Sequence, residues 1–182
     1  MEAALVEPAA VGMHAAILGE ARLGKSIVIL GAGTIGLMVL QACKSLGATD
    51  ITVVDVMDKR LDLAKELGAS RTINGAKEDT VALLRSEELF GDHGVELVFE
   101  CAGSTFTANQ AVQIVARGGK IMMVGTQSKP VPIDFLKINR EVTIQTSFRY
   151  CNNYPQTIEA IRSGKFNVKD MVTHVYDYKD VQ

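Results

Sequence analysis

Apolar positions along this chain follow two periodicities that alternate. Short runs such as Ile27-Val-Ile-Leu30 and Ile51-Thr-Val-Val54 do not alternate with polar residues, as expected of strands covered on both faces. Between them the spacing widens to three and four, as in Ile35, Leu37, Met38, Val39, Ala42 and Leu46, which predicts a helix. The pattern predicts strands near Ile27–Leu30, Ile51–Val56, Arg71–Asn74, Val95–Glu100, Lys120–Val124 and Val142–Phe148. Helices are expected over Met1–Leu23, Thr34–Leu46, Asp58–Leu67 (Asp58 as N-cap), Asp79–Phe90 and Thr105–Ala116, with Arg117-Gly-Gly119 closing the last and a short turn near Phe135–Ile138. Regular alternation of this kind argues for an α/β fold, a doubly wound parallel sheet of six strands. Residues 1–24 read as a helix leading in, 25–150 as the sheet domain, and 151–182 as a helix followed by a strand-like start at Val172. Both ends look unfinished, as though one domain had been cut from a two-domain chain.

The first strand runs directly into Gly31-x-Gly33-x-x-Gly36, and the helix begins at Thr34. Strand, glycine turn and helix together form the layout of a dinucleotide-binding unit. Gly31 would make the tight turn, Gly33 would let a pyrophosphate approach the backbone, and Gly36 would let helix and strand pack. The helix start adds unpaired N–H groups and a positive dipole end, worth roughly 0.3–2 kcal/mol. A glycine motif alone is weak evidence. Here the second strand ends in Asp55, about twenty residues on, where a ribose diol is met.

Ligands of open α/β sheets sit beyond the C-terminal strand ends. Those ends are Gly31–Gly36, Asp55, Cys101-Ala102-Gly103, Val124-Gly125-Thr126 and Ser147-Phe148-Arg149, and several are small enough to admit a flat cofactor. Asp55 favours NAD over NADP, because a 2′-phosphate would set two like charges together, at a cost of about 4 kcal/mol per pair at about 4 Å and an effective dielectric near 20. Arg60 opposes this, since a guanidinium welcomes phosphate, although Asp58-Lys59-Arg60 is equally a solvated helix start. Arg149 and Tyr150 stand where they would meet substrate hydroxyls, or Arg149 is a surface ion-pair partner.

Composition narrows the classes further. A net charge of −2 gives no reason to expect nucleic acid or an anionic membrane as partner, and no stretch approaches a transmembrane span. The apolar start carries Glu2, Glu7 and Pro8 without a basic region, unlike a secretory signal. Cys43, Cys101 and Cys151 are odd in number and dispersed, which favours reduced thiols in a cytoplasm; His14, His93 and His174 lack metal-ligand spacing. A non-catalytic NAD-binding module and a methyltransferase share parts of this pattern. The helix-packing Gly36 and the six strands favour a dehydrogenase.

The residues also carry a resemblance. Glu7-Pro8-Ala-Ala-Val-Gly-Met-His14, the Gly31–Gly36 loop, Asp55 with Arg60, Val124-Gly125, Phe148-Arg-Tyr-Cys-Asn152, Asn167-Val-Lys169 and Val172-Thr-His174 are similar to the zinc-containing medium-chain dehydrogenases, sorbitol (polyol) dehydrogenase branch. That resemblance implies a Rossmann fold and an enzyme oxidising a secondary alcohol of a polyol to a ketone with hydride transfer to NAD. Zinc would activate the alcohol. It implies that Gly31, Gly33, Thr34, Ile35 and Gly36 hold the pyrophosphate side and that Asp55 and Arg60 hold the adenosine. Val124–Thr126 and Ser147–Arg149 would line the nicotinamide, with Cys101–Gly103 beside them at the ligand edge. Arg149 and Tyr150 would contact substrate, and Glu7 would stand near the zinc. The family's main zinc ligands, a cysteine and a His-Glu pair, belong to an upstream domain absent here, so the chain alone is expected to bind NAD without catalysis. Homo-oligomerisation through the sixth strand is a further expectation, and threonine and xylitol dehydrogenases remain alternatives.

Overall fold

Six parallel strands in the order β3-β2-β1-β4-β5-β6 form the centre of the computed structural model, which describes residues 2–138 and 141–180. Their ranges are β1 Ser26–Leu30, β2 Asp50–Asp55, β3 Arg71–Asn74, β4 Val95–Glu100, β5 Val115–Met123 and β6 Thr143–Thr146. The helices are α1 Val6–Leu18, α2 Thr34–Ser45, α3 Asp58–Glu66, α4 Thr80–Leu84, α5 Thr105–Ile114 and α6 Tyr154–Arg162. This is the doubly wound Rossmann arrangement expected from the alternating periodicities.

The unbroken apolar runs are explained by a core on each side of the sheet. Ile27 and Ile29 of β1 join Leu97 and Phe99 of β4 in a cluster with Met13 of α1 and Met38 and Leu40 of α2. Val28 and Leu30 point the other way, with Val98, Ala111 and Ile114. Alternate side chains of a strand face opposite layers, so a strand with a helical layer on each side has no position left for a polar residue. α1 packs on α2 through small residues, and a β-carbon on Gly12 would lie 2.5 Å from the Met38 carbonyl carbon. The two backbones therefore touch.

Several boundaries differ from those expected. The N-terminal helix is a 3-10 turn at Glu2–Leu5 followed by α1, which stops at Leu18 rather than reaching Leu23; Met1 lies outside the described residues. Asp58 is the first residue of α3 and not its cap, which is Met57. The helix expected over Asp79–Phe90 keeps only the five residues of α4, although Asp79 caps it by accepting from the Val81 and Ala82 amides. α5 ends at Ile114, and Arg117-Gly-Gly119 does not close it. Val115 already pairs with Val95, and the next partners are Leu97 and Lys120, so residues 116–119 bulge out of β5. The sixth strand shrinks to Thr143–Thr146 because its outer side chains lack an opposing layer. No strand forms after Val172, where Val175 and Tyr176 are exposed; Val181 and Gln182 lie outside the described residues.

Candidate functional site

The strand order reverses between β1 and β4, and the crevice at such a switch point accepts ligands. The chain leaves β1 through Gly31, whose φ of +103° suits a residue without a side chain and whose amide donates to Val54 O at 2.7 Å. α2 starts three residues later. A β-carbon on Gly36 would lie 1.8 Å from Gly31 O, so the first turn is drawn against the strand end. Gly33 is the cap residue and no side chain caps this helix. The first-turn N–H groups therefore have no side-chain acceptor and face an open end, with free space around the Gly33 α-carbon and Thr34 exposed. An anion satisfies such groups and gains from the helix dipole.

Two clefts flank this turn. The one on the β2 side, about 260 Å³, is lined by Gly31, Asp55, Arg60 and Ala102 among others. The one on the β6 side, about 850 Å³, is lined by Ile35, Val124, Gly125, Thr126, Ser147, Phe148 and Arg149. Most of the residues anticipated from strand ends thus fall on one edge, divided between two compartments by the glycine turn. Cys101 and Gly103 line neither cleft. The Cys101 side chain packs against the core, and burial, with the Glu100 carboxylate beside it, pushes its thiol well above the ordinary pKa.

Asp55 is buried and its carboxylate is fixed from three sides. Oδ2 accepts from Ala32 N at 2.7 Å, and Oδ1 accepts from Val56 N at 2.8 Å and Met57 N at 3.0 Å. Arg60 Nη1 stands 3.6 Å from Oδ2 on a half-exposed side chain. With about four acceptor positions on a carboxylate, the group retains room for a hydroxyl donor and repels an added anion.

At the opposite end, Arg149 and Asn152 both have φ of +52°, the left-handed region that residues other than glycine populate sparsely. The Arg149 guanidinium lies over the Phe148 ring at 5.4 Å and has no ion-pair partner among the described residues. Tyr150 stacks on Tyr154 with ring centroids 4.8 Å apart and lines a separate hollow. The Tyr154 phenol is pushed up to about 12, chiefly by its hydrogen bond with Tyr150, with burial and the charges of Tyr150 and Glu7 adding to the shift. Glu7 sits exposed in the first turn of α1, near this tyrosine pair and outside both clefts. Among the described residues no three His, Cys, Asp or Glu side chains converge to hold a metal ion, so Glu7 does not form a zinc site with them.

Glu100 was not anticipated. It ends β4 fully buried, and Oε1 accepts from Ala102 N at 3.0 Å, Gly103 N at 2.8 Å and Thr107 Oγ1 at 2.7 Å, while Oε2 accepts from Gln127 Nε2 at 2.9 Å. One carboxylate thus ties the loops after β4 and β5 and the start of α5. Val11, Gln127 and Lys129 in the larger cleft were likewise not anticipated. The only sequence signal for Glu100 is a carboxylate closing an apolar run.

The profile of zinc-binding dehydrogenases matches residues 34–163. An Escherichia coli (strain K12) protein described as an uncharacterised zinc-type alcohol dehydrogenase-like protein is 65% identical over 100% of this chain and 52% of its own length. Sorbitol dehydrogenase of Bacillus subtilis (strain 168) is 39% identical over 100% of this chain and 51% of its own length. A crystal structure from Sinorhizobium meliloti 1021, a zinc-binding dehydrogenase bound to NADP, superposes with a TM-score of 0.88 at 26% identity, covering 93% of this chain and 51% of that one. The chain spans about half the length of the curated relatives it matches. With the glycine turn, the parallel sheet and this match agreeing, the chain belongs to the zinc-binding dehydrogenase family, of which it carries the nucleotide-binding domain.

Proposed function

We propose that the chain binds NAD across the β1–β4 switch and that the protein oxidises a secondary alcohol of a polyol to a ketone. The observation that carries this reading is the first turn of α2, without a side-chain cap, set between two clefts with Asp55 in one of them. The first-turn amides around Thr34, Ile35 and Gly36 bind the diphosphate. Asp55, already oriented by three backbone donors, accepts from the adenosine ribose, and Arg60 steadies it from outside. When bound, NAD supplies the ring that accepts hydride. Val124, Gly125, Thr126, Ser147 and Phe148 wall that compartment. Arg149, which lines the larger cleft, and Tyr150 next to it in the chain orient substrate hydroxyls. Glu7 belongs to the surroundings of a metal whose ligand set is not among the described residues. By itself, the chain binds NAD and turns over no alcohol. The free thiols fit a cytoplasmic protein.

NAD is the preferred cofactor because a 2′-phosphate would meet the Asp55 carboxylate; the NADP-bound relative and Arg60 favour the second reading. Calorimetric titration of the purified protein decides between them. NAD is expected to bind at least about tenfold more tightly than NADP, and Asp55→Asn to narrow that gap. No uptake of NAD by folded protein would overturn the proposal.

A further inference from the structure

The cleft on the β6 side is large for one flat ring. Its volume of about 850 Å³ lies among those of pockets that enclose a whole small ligand, about 300–1,000 Å³. Room therefore remains beside the nicotinamide for a chain of several carbons. The charge of the cleft is one-sided. Lys129 and Arg149 both line it, and among the described residues no Asp or Glu does so. Neither cation has an ion-pair partner among the described residues. In the β2-side cleft, by contrast, Arg60 stands 3.6 Å from the Asp55 carboxylate. Composition does not explain the difference, since the chain as a whole carries a net charge of −2. Both cations also sit on restrained supports. Pro130 biases the Lys129 backbone to an extended form, and Gln127 two residues earlier is tied to Glu100 at 2.9 Å. The Arg149 guanidinium rests on the Phe148 ring at 5.4 Å.

We propose that the alcohol this protein oxidises carries a negative charge at one end, as a polyol ending in a carboxylate or a phosphate, and that Lys129 with Arg149 selects it over a neutral alditol. Hydroxyl groups both donate and accept, and Thr126, Gln127 and Thr146 in the cleft serve them without any charge. A lysine and an arginine only donate. An ionised oxygen only accepts, and hydrogen bonds to it from charged N–H groups are roughly twice as strong as those between neutral partners. Arg149 offers a planar fork to two oxygens of one anion, and Lys129 adds a point charge that suits a carboxylate or a phosphate. The charged group takes no part in the chemistry: hydride passes from the alcohol carbon to NAD and a proton leaves the hydroxyl, which gives a keto acid or a keto phosphate. This inference rests on the NAD-dependent polyol reading above and narrows its substrate class.

Steady-state kinetics on the full-length protein that carries this domain, at saturating NAD, compare aldonates and alditol phosphates with alditols of the same configuration. The preferred anionic substrate is expected to exceed its neutral counterpart at least about tenfold in kcat/KM. That gap should narrow as salt rises. The carboxylate and phosphate arms show which anion the cleft takes. Titrated calorimetrically into the NADH complex, where no turnover occurs, the same compounds should bind in the same order. Lys129→Met should cut the ratio of anionic to neutral kcat/KM about tenfold, and Lys129→Arg, which keeps the charge, should retain most of it. A change in folding or in NAD binding affects both substrates alike and leaves this ratio where it was. A neutral alditol used as well as its anionic counterpart, an unchanged ratio in Lys129→Met, or NAD uptake without turnover of any anionic compound would overturn the inference and leave NAD binding intact. Failure of the unsubstituted protein to bind NAD would overturn the dinucleotide reading itself, and this one with it.

Discussion

Asp55 and Asp58 stand three residues apart and differ in where their oxygens point. Asp55 turns inward to backbone amides and faces the cleft, whereas Asp58 turns to Asn74 Nδ2 at 2.6 Å and Lys77 Nζ at 2.7 Å. The hydrogen bond from Lys77, then that from Asn74, holds the Asp58 carboxyl below its ordinary value of 3.8. A group whose pKa is depressed on folding contributes stability that is present above the unfolded value and lost as pH falls through the folded one. Asp58→Asn should therefore lower the thermal midpoint at neutral pH, by a small amount because the group is solvated. The difference from the unsubstituted protein should vanish as pH drops below 3.8, which a series of melts across the acid range would check.

At the scale of elements, the sequence is most legible where a strand has helices on both sides. β3 and β4 begin and end where the sequence pattern sets them, and β1 and β2 do so within a residue, the apolar runs of β1, β2 and β4 being buried at nearly every position. The reading fails where tertiary contacts set the boundary. Pairing of Val115 with Val95 ends α5 early, and no local signal marks it. The part of the cleft lining that lies at strand ends was legible, since topology alone brings strand ends together. Glu100 was not, because Gln127 reaches it from another loop. Glu100→Gln would present an amide donor to one of the donors the carboxylate now accepts. With the group fully buried, a loss of about 2–3 kcal/mol is expected, read as a lower urea midpoint, together with weaker NAD binding as the two loops loosen.

For the whole molecule, the sheet has two edges and they are treated differently. At β3, Arg71 pairs with Asp50 and its guanidinium lies over the Phe90 ring, so charge and an aromatic side chain occupy that end. At β6, Thr143, Ile144 and Thr146 are exposed. An open edge with an apolar residue invites another strand, and we propose a second copy of this chain as its partner. Ile144→Lys should convert an assembled protein to single copies in light scattering without lowering NAD affinity. A single copy for the unsubstituted protein at micromolar concentration would remove the oligomer from the proposal.

The direct contact between α1 and α2 at Gly12 and Met38 has a mechanical consequence. Where the two backbones meet at that point there is no side chain to deform, so the helices are expected to shift together. The first-turn amides of α2, the proposed diphosphate site, and the acidic first turn carrying Glu7 therefore ride on one stiff lever, so a load applied at either end is felt at the other.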